Sequence, residues 1–140
     1  MTSAEMARAY LAQAALILEE AERHRQAGAW HLAVRRAQES VERALKAVLR
    51  AAAVEVPRVH DVGVFLRQAA DRLPKAVVEE LDRLVSISRR LRGEREVAFY
   101  GDEAVGAPPE QLYTAADAAE ALADARFVLD RCRAAVPPAG

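Results

Sequence analysis

Between Trp30 and about Ala53, apolar side chains return every three or four places: Trp30, Val34, Ala37, Val41, Leu45, Val48 and Ala52. At helical spacing they line up as one stripe, whereas a strand would scatter them over both of its faces. Such a stripe must be buried, and its alanines let a neighbouring helix approach closely, so the segment requires helical partners. On the other side, Glu39 with Arg43 and Glu42 with Lys46 are acid-first pairs four residues apart that support the exposed face. Gln38 sits at the edge of the stripe. A buried amide needs partners, so it is expected to bond across the bundle or to hold a neighbouring side chain in place.

The remaining sequence supplies the partners. A first helix is expected from Ser3, as N-cap, to about Arg25, with Met6, Tyr10, Ala14, Ile17 and Ala21 on one side. Gly28 marks a turn into an antiparallel second helix. Pro57 stops any continuation, and Asp61 reads as the N-cap of a short third helix carrying Val64, Phe65 and Ala69. Pro74 suits the first turn of a fourth helix bearing Val77, Val78, Leu81, Leu84, Val85 and Leu91. From Val97 to Tyr113 the periodicity fails and Gly101, Gly106, Pro108 and Pro109 appear, which reads as an irregular loop over 97–113. Thr114 followed by Asp117 begins a last helix to about Ala135, and 136–140 reads as a flexible tail. The expected fold is all-α: one domain over 1–140, an antiparallel up-and-down four-helix bundle with a short extra helix.

A chain of 140 residues can bury a core without metal or disulfide support. Its net charge of −1 gives no global attraction for nucleic acid, so any basic patch must be local. The lone Cys132 cannot form an internal disulfide; it reads as a small core residue and points to a reducing, cytoplasmic setting. Glu5 and Arg8 break up the N-terminal segment in a way unlike a signal peptide, and no apolar run is long enough to span a membrane. Gly28 interrupts the helix between His24 and His31, and no phosphate-cradling glycine loop or nucleophile motif occurs. Neither a metal nor a cofactor is expected.

Candidate chemistry gathers near the end of the fourth helix, at Arg89, Arg90, Arg92 and Arg95. At about 100° per residue, Ser88, Arg92 and Arg95 fall on the side of Leu81, Leu84 and Val85. An arginine facing a core is costly unless it is paired or lies beside a wet cleft. The plainer reading is a solvated basic helix end, reached if Gly93 stops the helix early. Tyr100 follows closely and could stack on a base or donate to a phosphate, while Asp102 and Glu103 could pair with the arginines. Phe99 is expected to be a hydrophobic plug. His60 is expected to lock its loop through a backbone carbonyl, leaving Arg89, Arg92, Arg95 and Tyr100 as ligand contacts and Gln38, His60, Asp61 and Asp102 as structural support.

The order of these parts resembles the HEPN domain family. The residues that carry the resemblance are Ala37-Gln38, Val41-Glu42 and Ala44-Leu45-Lys46-Ala47, then His60-Asp61 and Phe65-Leu66, then Arg95 through Glu103, with the alanine-rich last helix. The resemblance implies a helical homodimer in which arginines of two protomers approach each other. It also implies a link to nucleotides, RNA or a minimal nucleotidyltransferase, as in a toxin–antitoxin-like pair. Many members of that family cleave RNA without metal, using an arginine followed four to six residues later by a histidine. Here four residues separate Arg95 from Tyr100, and no histidine occurs after His60. Phenols titrate near pH 10, far from the neutral range that favours proton transfer in RNA cleavage. The leading reading is therefore a protein that binds nucleotide or RNA without cleaving it. A metal-independent RNase toxin using Arg95 and Tyr100, and a purely structural dimerisation or docking module, are its alternatives.

Overall fold

The computed structural model describes residues 1–58 and 61–138. Four long helices dominate it: α1 (Ser3–Gln26), α2 (Trp30–Ala51), α5 (Leu81–Tyr100) and α7 (Ala115–Ala135). Between them lie the short α3 (Val62–Gln68), α4 (Lys75–Val78) and α6 (Pro109–Leu112), with a single 3-10 turn at Ala70–Arg72. No strand occurs among the described residues, and the architecture is the expected all-α bundle.

The centre is α2, which packs on α1, α5 and α7. Its buried residues include Ala33, Ala37, Val41, Ala44, Leu45, Val48 and Leu49, which cover more than one side of the helix. Ser40 Oγ donates to the Ala14 carbonyl at 2.8 Å, and Arg36 lies 3.4 Å from Glu20. Rising numbers in α2 thus meet falling numbers in α1, so the two helices are antiparallel. Gly28 turns the chain between them at φ +76°, a conformation that costs glycine little. Small residues make the close approach possible: Ala7, Ala14 and Ala21 are buried in α1, and Ala118, Ala121 and Ala125 in α7.

Several boundaries differ from the sequence expectation. The cap of α1 is Thr2 rather than Ser3. Thr2 Oγ1 accepts from Glu5 N at 3.1 Å and the Glu5 carboxylate accepts from Thr2 N at 2.8 Å, a complete capping box. The fourth helix divides into α4 and α5 at Glu79–Glu80. Arg131 of α7 reaches the Ala76 carbonyl at 3.5 Å and the carboxylates of Glu79 and Glu80 at 3.8 and 3.7 Å, so cross-helix contacts hold this break. Gly93 does not end α5. The helix runs on to Tyr100, because Leu91 and Ala98 are buried on either side of the glycine and anchor it.

The loop expected over 97–113 is therefore shorter and more ordered. It starts at Gly101 (φ +81°), where an added Cβ would lie 2.2 Å from the Ala107 carbonyl. Asp102 and Ala107 exchange two backbone bonds of 2.8 and 3.0 Å, and α6 follows with Pro109 in its first turn. Thr114 and Asp117 form the expected box at the start of α7. Val136, expected to open the tail, is buried and its N–H bonds to the Cys132 carbonyl; the last two residues of that expected tail lie outside the described residues.

Candidate functional site

Two polar sides of α5 face different neighbours. Arg90 and Glu94 turn toward α7, whereas Arg92 and Arg95 turn toward α2. The first side is internally paired: Arg90 binds the Asp124 carboxylate, and the Tyr113 hydroxyl donates to Glu94. Burial pushes the Asp124 carboxyl upward against the opposing pull of Arg90. Burial and the Glu94 carboxylate together raise the Tyr113 phenol, which stays protonated.

The second side opens on a cleft of about 520 Å³ between the middle of α2, the C-terminal half of α5 and Ile17 of α1. Five cations line it: Arg43 and Lys46 from α2, Arg58 from the segment that follows, and Arg92 and Arg95 from α5. They face two carboxylates, Glu39 and Glu42, so positive charge is in excess here although the chain carries −1 overall. Both carboxylates are engaged. Glu39 accepts from Arg35 at 2.9 Å and Arg36 at 2.7 Å, and Glu42 meets Lys46 at 3.3 Å and Gln38 at 3.2 Å. Arg58 and Arg95 have no ion pair among the described residues. Such an arrangement makes the local potential positive.

Arg92 and Arg95 lie on the Ser88 side of α5, as the helical spacing requires, at the margin of the buried row that Leu91 and Ala98 continue. Both arginines are exposed and border the cleft. Arg89 is turned elsewhere: its Nε lies 3.8 Å from Asp61, outside the cleft lining. Asp61 also accepts from Gly63 N at 2.9 Å, so it caps α3 as expected and ties that cap to α5. His60 lies outside the described residues. Gln38 is buried and bonds within its own helix, accepting from Arg35 at 2.8 Å and donating to Glu42, so it holds neighbouring side chains rather than bridging the bundle.

Arg95 borders a second hollow of about 310 Å³, lined also by Arg35, Glu96, Phe99 and Tyr100. Phe99 is not the expected plug. It is 54% exposed, Tyr100 is 67% exposed, and their rings meet edge to face with centroids 4.8 Å apart. Asp102 turns its carboxylate to Ala104 N at 3.0 Å, a loop-closing bond rather than an arginine pair.

Arg43, Lys46, Arg58 and Arg35 did not stand out in the sequence. Arg43 reads there as the partner of Glu39, yet its guanidinium lies over the Tyr10 ring at 5.3 Å, and Glu39 bonds Arg35 and Arg36 instead. A usable signal did exist: Arg35, Gln38, Glu39, Glu42 and Lys46 recur at three- and four-residue steps beside the apolar stripe, forming a polar margin to a buried face.

A cleft lined mostly by cations thus lies on the side of a closely packed helical bundle. The model of the HEPN domain family matches residues 7–135, nearly the whole chain, and the protein belongs to that family. Membership carries a general association with nucleotide and RNA biology. No curated protein matches the chain. Among the described residues no group of three or more His, Cys, Asp or Glu side chains could hold a metal ion, and no helix is long and apolar enough to cross a membrane.

Proposed function

We propose that this HEPN protein binds nucleotide or RNA phosphates in the cleft between α2 and α5, with Arg92 and Arg95 as principal contacts and Tyr100 at its margin. The observation that supports this most directly is the convergence of five cations on one cleft in a chain of net charge −1. Guanidinium groups present planar donor forks to phosphate oxygens, and they remain charged at any physiological pH. Arg89, committed to Asp61, has a bracing role in this reading.

The family further supports a homodimer and a pairing with a minimal nucleotidyltransferase, in the manner of a toxin and its antitoxin. In this proposal the protein binds and does not cleave, because no histidine follows Arg95 to act as general acid or base.

The test is fluorescence anisotropy with a labelled oligoribonucleotide at low salt. Saturable binding that falls steeply with added salt is the expected result. Absence of binding to any nucleotide or RNA at low salt would remove the reading. Light scattering should give about twice the chain mass of 15.3 kDa, and co-expression with a minimal nucleotidyltransferase should yield a co-purifying complex.

A further inference from the structure

Phe99 lies outside the cleft lining, beside Tyr100, as one of two large exposed rings at the end of α5. Aromatic side chains gain most from burial, and a pair left in solvent at a helix end needs a reason. The hollow beside Phe99 and Tyr100 shares Arg95 with the cleft, so a ligand whose phosphate meets Arg95 has its next group directed toward the rings. The ring planes stand at 70°, which makes a corner in which one ring offers its face and the other its edge to a flat ligand. Arg35 forms another wall, and its guanidinium is held in place by Gln38 at 2.8 Å and Glu39 at 2.9 Å. A planar group entering here meets an aromatic face, an aromatic edge and a fixed guanidinium, the combination that takes a nucleobase irrespective of its hydrogen-bonding pattern.

We propose that Phe99 and Tyr100 form a platform for one unpaired base of a strand whose phosphate lies against Arg95. This rests on the cleft reading and adds a specificity to it. Within a duplex, each base is already stacked on its neighbours and shows only its edges to the grooves, so the corner selects single strands.

The experiment compares three labelled probes: a single-stranded octauridylate, an octamer of abasic ribose phosphate, and a duplex RNA of equal phosphate count. The wild type should prefer octauridylate to both others. Phe99→Ala should weaken octauridylate binding by roughly ten-fold, the scale of one lost base stack, and leave the abasic strand unchanged. Phe99→Trp should restore it. Because Phe99 is exposed, its melting temperature should hold, which separates a binding loss from misfolding. Octauridylate binding that ignores Phe99→Ala, or an equal loss on the abasic strand, overturns the platform and leaves the cleft intact. Phe99→Ala converting a wild-type dimer to monomer also overturns it, since the rings would then be covered by a second copy. Failure of all three probes to bind the wild type removes the cleft reading together with this one.

Discussion

Ser40 and Ala14 are joined by a hydrogen bond in the interior of the bundle, hydroxyl to backbone carbonyl at 2.8 Å, where neither residue is open to solvent. It fixes the register of α1 on α2. Ser40→Ala removes the donor and leaves the carbonyl its place in the α1 helix ladder, so no buried group is stranded. The expected loss is about 0.5–1.5 kcal/mol in urea unfolding. Ser40→Val adds bulk against the same backbone and should cost more. Equal stability of all three proteins would show that the bond contributes nothing.

Asp61→Ala should destabilise the protein by about 0.5–2 kcal/mol, through loss of the bond to Gly63 N and the nearby Arg89 charge. Asp61→Asn should recover most of this, since an amide oxygen still caps. RNA affinity should stay within about two-fold of wild type for both. Intact melting with abolished binding would place Asp61 in the site and not beneath it.

Arg92→Ala and Arg95→Ala should each weaken RNA binding and make its logarithmic dependence on salt shallower by roughly one unit, as one phosphate contact is lost. Arg89→Ala should leave the slope alone. A slope indifferent to all three substitutions would move the contact surface elsewhere. Incubated RNA should remain full-length without added metal; cleavage abolished by Arg95→Ala would restore the RNase alternative.

Glu22 supplies the clearest dependence on pH. A side-chain hydrogen bond from Arg25, assisted by the charges of Arg25 and Arg126, outweighs desolvation and holds its carboxyl down to about 2. An unfolded glutamate titrates near 4.3, so the folded state binds this proton less readily than the unfolded one. The resulting stability is present above that unfolded value and is lost as pH falls toward 2. Glu22→Gln should therefore melt below wild type at pH 6, with the gap closing in acid. A gap that stays constant from pH 6 to pH 2 would be inconsistent with this linkage.

Local chemistry was legible where one segment contains both partners. Asp61 caps Gly63, two residues on, and Thr114 exchanges bonds with Asp117, three on; both follow from short spacing alone. The same logic holds at Thr2 and Glu5, although the neighbouring Ser3 offers a rival cap that the sequence does not exclude. The sequence places the end of α5 near Val97, where the periodicity fails, and leaves Gly93 open as an earlier stop; the burial of Leu91 and Ala98, which carries the helix past both to Tyr100, is a tertiary fact. The cleft suffers from the same limit. Arg43, Lys46 and Arg58 look like solvated surface until α5 brings Arg92 and Arg95 opposite them. Phe99 shows the reverse: its apolar ring suggests burial, and only the bundle's outline leaves it outside.

Alanine fills much of the contact between α1, α2 and α7: Ala14, Ala33, Ala37, Ala44, Ala47, Ala118 and Ala125 are all fully buried. Such a core inverts the usual pattern of mutational sensitivity. Cutting a side chain down at these sites can remove only one methyl, so Ala→Gly costs about 0.5–1 kcal/mol, mostly through the backbone. Enlarging one has nowhere to go, since the helices meet at the methyl itself, and Ala→Leu would force the axes apart. In a saturation library the intolerant positions should therefore be the smallest residues of the protein, and tolerance should fall with the size of the replacement more than with its polarity.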